Sequence, residues 1–251
     1  MKKALALSLL LTFSAQADVR YTTKTKVPAS PVETIMTTWV KGKRQRMEMV
    51  SDMGNFKSKT VTLTLCDTHQ TAQLDPELKI YVLTPMDLSN TKSEGGAVGT
   101  GTVTNTYTVK DLGVETVAQL KAHHWMVTTR SQGTGCIGTF DTTSKVEVWT
   151  APVQVLNCPE ATSYSQPNCK VKFEEKGDVK GMRAAYNGMA VRLISYQGEQ
   201  QTSEQIFVDY STSALDDSLF SLPKDYKQVT QAEYQQQQQQ KMMKQYQVPA
   251  P

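Results

Sequence analysis

The dominant pattern along the chain has a period of two. Val19, Tyr21, Thr23 and Thr25 alternate with Arg20, Thr22 and Lys24, and Val61, Leu63 and Leu65 alternate with Thr60, Thr62 and Thr64. Val146 and Val148, then Val191 and Leu193, repeat the pattern further on. Such alternation in Val, Thr and aromatic residues predicts half-buried antiparallel strands. Turn residues punctuate it: Lys41-Gly42 between Ile35–Val40 and Lys43–Val50, Asp75-Pro76-Glu77 before Lys79–Leu83, and Asn187-Gly188 before Met189–Tyr196. Ten to twelve short strands are expected. No strand–helix rhythm of a parallel α/β fold is present. Within the strand-rich region, helical expectations are a short segment around Lys176–Tyr186 and a turn or two in Ala214–Leu219.

Three segments break the pattern. Met1 to Ala17 carries Lys2 and Lys3, an apolar run from Ala4 to Phe13, and Ala15-Gln16-Ala17. This predicts a signal peptide cleaved before Asp18, because the run is too short for about 30 Å of hydrocarbon. No later stretch is long and apolar enough to span a membrane. Thr84 to Asn105 is rich in glycine, with Gly95, Gly96, Gly99 and Gly101, but lacks the Lys-Ser/Thr ending of a phosphate-binding loop, so a surface loop or lid is expected. The tail from about Gln231 contains six consecutive glutamines, Gln235 to Gln240, and reads as a mobile or helical appendage. The organisation is therefore residues 1–17 as signal, 18–229 as one antiparallel β domain and 230–251 as tail.

Export changes the meaning of the four cysteines. In an oxidising compartment Cys66, Cys136, Cys158 and Cys169 are expected to pair. The closeness of Cys158 to Cys169, across a Pro-bearing polar loop, favours that local bridge and leaves Cys66 with Cys136. The rival is a metal site at Cys66-Asp67-Thr68-His69. With three histidines in the chain and no Cys-x-x-Cys, no metal and no cofactor are expected. Charge adds little: 27 Lys and Arg face 24 Asp and Glu, and losing Lys2 and Lys3 with the signal leaves an excess of one. No nucleic-acid partner fits so even a balance.

Catalytic chemistry is thinly represented. His123-His124 is the conspicuous base, but neighbours on a strand point to opposite faces and cannot share one task. One is expected in solvent and the other beside the sheet interior. Glu174-Glu175 and Asp216-Asp217 read as solvated surface. The eleven methionines, including Met47, Met49, Met126 and Met189, suit soft-metal binding or, at strand spacing, an adaptable apolar pocket. No catalytic residue is assigned, and a non-enzymatic protein is expected.

The order of elements also carries a resemblance. Trp39-Val40-Lys41-Gly42-Lys43-Arg44-Gln45-Arg46-Met47-Glu48 is followed by Gln73-Leu74-Asp75-Pro76-Glu77-Leu78-Lys79-Ile80-Tyr81 and, near the end, by Leu219-Phe220-Ser221-Leu222-Pro223-Lys224-Asp225-Tyr226. Over most of residues 18–229 this resembles the exported proteins built on the unclosed β-barrel of the LolA/LolB lipoprotein carriers. The resemblance implies a mainly β fold: a strongly curved antiparallel half-barrel, with one or two short helices as a lid over an apolar cavity. Disulfides, glycine-rich stretch and Gln-rich tail depart from the pattern, and no site residue is carried over. The expected lining is Met47, Met49, Val61, Leu63, Leu65, Ile80, Val82, Val146, Val148, Val191 and Leu193. Arg44 and Arg46 are expected on the outer polar face of their strand. Two functions stay open: a soluble periplasmic binder of an apolar ligand, lipid or lipidated protein segment, or an envelope scaffold that engages a protein partner through its tail or glycine-rich stretch. A hydrolase using His123 or His124 is a third.

Overall fold

The computed structural model describes residues 18–28, 30, 32–52, 57–86, 99–153, 156, 158 and 169–246. The expected signal peptide, Gly95, Gly96 and the end of the tail lie outside them. Thirteen strands form one unclosed sheet in the order β10-β7-β8-β9-β11-β12-β1-β2-β3-β4-β5-β6-β13, consistent with a curved half-barrel. Strands β1 (Val19–Lys26), β2 (Glu33–Lys41), β3 (Arg44–Asp52), β4 (Lys57–Leu65), β5 (Gln70–Asp75) and β6 (Ile80–Pro85) make one meander. Strands β7 (Gly99–Val117), β8 (Leu120–Gly135), β9 (Phe140–Ala151), β11 (Met189–Gln197) and β12 (Gln200–Ser211) make the second. The β1–β12 ladder joins them. All interior pairings are antiparallel. The two edges differ from the expectation: β10 (Cys169–Gly177) runs parallel to β7, and the two-residue β13 (Lys227–Gln228) runs parallel to β6.

Local chemistry explains the elements. Gly42 turns β2 into β3 at φ 55°, where a side chain is strained. Asp75 accepts from the amides of Glu77 and Leu78 at 2.8 and 2.9 Å, which closes the turn between β5 and β6. The short helix α1 (Val179–Ala185) starts at Asp178, whose carboxylate accepts from the Gly181 amide. Asp217–Phe220 forms a 3-10 turn, and Gln231–Tyr246 forms helix α2, the longest helical element described. Its start is a capping box: the Thr230 amide donates to Glu233, and the Glu233 amide donates back to Thr230 Oγ1.

The register from β1 to β6 separates two faces without a break between β2 and β6. Arg44, Arg46 and Glu48 stand opposite Leu65, Leu63 and Val61, and so share their face. Met47 and Met49 stand opposite Thr62 and Thr60 on the other face. The expectation that Arg44 and Arg46 mark a purely polar outer face is therefore corrected. Arg46 is only 17% exposed and donates to Glu48 and to the Leu219 carbonyl of the 3-10 turn, which lies over this face.

The cysteine pairing is also corrected. Cys66 is bonded to Cys158, and Cys136 to Cys169. The expected Cys158–Cys169 bridge fails because Cys169 begins β10, which lies beside β7 and brings it to Cys136 at the end of β8. Gly135 fits this corner: φ is 84°, and a Cβ would lie 2.2 Å from the Thr100 carbonyl oxygen. The chain-entropy relation assigns about 4.6 kcal/mol to a bridge spanning 92 residues and about 3.7 kcal/mol to one spanning 33. Non-reducing peptide mapping is expected to recover 66–158 and 136–169 cross-links. Cys66→Ser should lower stability more than Cys136→Ser in denaturant titration, and a 158–169 cross-link would contradict the fold.

Candidate functional site

The eleven expected lining residues are distributed over the sheet. Val61, Leu63 and Leu65 pack with Ala72 and Leu74 under Leu222 and Tyr226. Ile80 and Val82 pack with Val229 and Tyr234, beneath α2. Val146, Val148 and Leu193 belong to a cluster capped by Ala185 of α1. Val191 lies in the largest cluster, which runs from Ala122 through Trp149 and Phe207 to Val40. Met47 and Met49 belong to none of these clusters, and Met49 is 39% exposed.

Clefts open at separate places on the described surface. One of about 470 Å³ lies between α1 and β7–β9, lined by Val114, Lys121, His123, Trp125, Thr150 and Asn187 among others. A second, of about 500 Å³, is polar and bounded by Lys41, Lys43, Arg44, Asp67 and Asp217. A third, of about 400 Å³, follows the start of α2 along Val82 and Leu83.

The two histidines divide as the strand period requires. His123 is 40% exposed at its side chain, stacks on Trp125 at 4.1 Å and meets Asp111 at 2.7 Å. His124 is buried and stacks on Trp149 at 3.8 Å. Its ring nitrogens meet Glu115 at 3.0 Å and Glu147 at 3.2 Å. A neutral imidazole has one N–H to offer these two carboxylates, whereas the doubly protonated ring donates to both. Trp149 donates to Glu115 at 2.9 Å, and Arg192 lies over its ring at 4.6 Å. The Trp149 and His124 contacts hold the Glu115 carboxyl below its usual range. Tyr196 donates to Glu147, and burial together with that carboxylate pushes its phenol up to about 12. Six side chains from four strands thus form one polar network. With both nitrogens engaged and its ring covered, His124 is placed to hold strands together. His123, oriented by Asp111 at the mouth of the first cleft, is the more accessible base.

Cys66, which with His69 formed the rival metal reading, is sealed in a disulfide. Among the described residues no group of three His, Cys, Asp or Glu side chains is placed to hold a metal ion. No helix among them is long and apolar enough to cross a membrane.

A feature that sequence reasoning missed is the seat of α2. Asp75 is 2% exposed. Its second oxygen accepts from Gln238 at 2.6 Å and Lys241 at 3.1 Å, and Lys241 also meets Glu77 at 2.6 Å. Tyr234, Gln238 and Lys241 follow the i, i+4, i+7 spacing of one helix face. That spacing and the Thr230–Glu233 box were the available signals. Burial pushes the Asp75 carboxyl up, but the Leu78 amide, Gln238 and Lys241 hold it below the ordinary aspartate value.

These features define a disulfide-stapled protein built on one open β-sheet, with short helical covers. The chain belongs to the family described as a domain of unknown function, DUF4412, which matches residues 22–226. No curated protein matches it. Among solved structures it is similar to an uncharacterized conserved protein from Thermus thermophilus, at 11% identity and a TM-score of 0.43, covering 86% of this chain and 91% of that one. It is also similar to a chain of the Pseudomonas aeruginosa MucA/MucB complex, at 12% identity and a TM-score of 0.42, covering 86% of this chain and 59% of that one.

Because the Asp75 carboxyl is depressed in the fold, its contribution is present above about 3.8 and lost as pH falls through the folded value below that. Protection against hydrogen exchange across residues 231–246, relative to the unfolded rate at each pH, should fall in that acid window. Asp75→Asn should show fast exchange already at neutral pH and no acid step. A variant that retains both protection and the step would refute this seat.

Proposed function

We propose that the chain is an exported, non-enzymatic protein of the bacterial periplasm, released by cleavage after Ala17. Its sheet, laid out like the unclosed barrel of the lipoprotein carriers, receives an apolar ligand or a lipidated protein segment beneath α2. The observation that carries this reading is the character of the cover. Ile80 and Val82 are roofed by a helix whose buried apolar contact, among its described side chains, is Tyr234, beside Val229. Among its described side chains, the docking face continues as the polar hold of Gln238 and Lys241 on Asp75. An element with few buried apolar contacts is one that moves at low cost. Displacing α2 uncovers Ile80 and Val82, and displacing the segment that carries Leu222 and Tyr226 uncovers Val61, Leu63 and Leu65 on the other face. The two disulfides suit an oxidising compartment.

The scaffold reading has its own support. Val61, Leu63, Val148 and Val191 have no accessible surface and are packed by this chain alone. In that reading α2 engages an envelope protein and the sheet stays closed. Native mass spectrometry and solvent extraction of protein purified from the periplasm separate the two. The carrier reading expects a lipid adduct, and binding of a hydrophobic fluorescent probe that rises when residues 231–251 are deleted. Absence of both overturns it. The scaffold reading then expects partner capture that is lost with the same deletion.

A further inference from the structure

Met36, Met47 and Met49 stand outside the apolar clusters of the described residues. Met36 on β2 stands directly opposite Met49 on β3, and Met47 is two residues along the same strand. All three therefore leave one face of the sheet. Directly opposed residues have Cβ atoms about 4.5–5.5 Å apart and diagonal neighbours lie about 7–8 Å apart. Three unbranched thioether side chains can converge across such spacings. Among the described residues, none of the three is assigned to an apolar cluster. Met49 is 39% exposed and the other two are half-buried, so the face is within reach of solvent.

The neighbours on this face are neutral. Thr34, Thr38 and Ser51 flank the methionines on β2 and β3, and Thr60 and Thr62 follow on β4. The charges of the same strands leave the opposite face, where Glu48 meets Arg46 at 2.6 Å and Lys59 at 2.8 Å. Zinc needs thiolate, imidazole or carboxylate ligands, and calcium and magnesium need several oxygens of which carboxylates are the strongest. Thioether sulfur is a soft donor that selects a soft cation such as Cu(I). We propose that Met36, Met47 and Met49 form a site for one soft monovalent metal ion, Cu(I) or Ag(I), bound through three sulfurs. The methionines share the sheet face of Val82, but this site stands apart from the carrier and scaffold readings, since none of the three belongs to the Ile80, Val82, Val229 and Tyr234 cluster.

The test uses the full mature chain without oxygen. Cu(I) is offered in competition with a coloured chelator, and Ag(I) serves as the redox-inert counterpart. The protein should withdraw one equivalent, and the ¹³C-methyl signals that shift on Ag(I) addition should be those of Met36, Met47 and Met49. Each Met→Leu change, close in volume and tolerated in sheets, should weaken binding at least about tenfold. The triple variant should leave the chelator's colour intact, and Zn(II) should not compete. Failure of the wild-type chain to withdraw metal, or shifts confined to other methionines, overturns the proposal. So does a folded triple variant that binds like the wild type. The wild-type methyl spectrum decides the matter even where a variant does not fold.

Discussion

The ladder between β1 and β12 is the seam on which the architecture depends. It pairs Arg20 with Ser211 and Lys26 with Glu204, so residues nearly two hundred positions apart must meet before either meander gains from the other. Closing so long a loop is entropically unfavourable, though the cost grows only with the logarithm of its length. Burial offsets it: Val19, Tyr21 and Thr23 are enclosed, and Tyr21 stacks on Phe207 with ring centres 4.7 Å apart. A bulge between Thr22 and Thr23 falls beside this stack, where an extra residue adds local twist. The same corner is tied from outside by Asp18, which accepts from the Leu215 amide, and by Lys41, which donates to the Leu215 carbonyl and meets Asp217 at 2.8 Å. Without β1 the sheet would become two halves, each with a new unpaired edge.

The outer edges are handled differently. At one end β10 is pinned at its first residue by the Cys136–Cys169 bridge, and its lysines and glutamates keep the exposed edge charged. At the other end β13 pairs for two residues, and then the capping box at Thr230 launches α2 across β6. The parallel direction of both edge strands follows from connectivity. Each arrives after a long excursion rather than through a tight hairpin, which is the condition for parallel pairing.

Much of the strand content was legible because a period of two writes burial directly into the sequence. Val61-Thr-Leu63-Thr-Leu65 and the turns at Gly42 and Asp75 are local facts, and the structure bears them out. Which strands become neighbours is not a local fact. The cysteine pairing failed for that reason: nearness along the chain between Cys158 and Cys169 says nothing about β10 lying beside β7. The polar network around His124 was equally hidden, since its members gather only after β7, β8, β9 and β11 align. Helix α2 was obscured by composition. Six glutamines read as low complexity, while the face that docks is set by Tyr234, Gln238 and Lys241 against a carboxylate 163 and 166 residues away from the latter two.

Strand β3 shows why face assignment matters more than strand prediction for any functional reading. Its even positions, Arg44, Arg46 and Glu48, join the face that continues as Leu65, Leu63 and Val61 and is roofed by the 3-10 turn. Its odd positions, Met47 and Met49, join a face of hydroxyls and thioethers. A slip of one residue against β4 would exchange the two sets. It would carry the Arg46–Glu48 pair away from the Leu219 carbonyl and push methionine under Phe220. The tight turn at Gly42 fixes β3 against β2, and Arg44 resists the slip against β4 by gripping Asp67 beyond the end of β4 through two nitrogens at 3.0 and 2.6 Å. Both grips lie at the same end of the strand pair, so the register of the methionine face is set at a distance from it. The chemistry that face can perform therefore rests on a turn and an ion pair that belong to neither site.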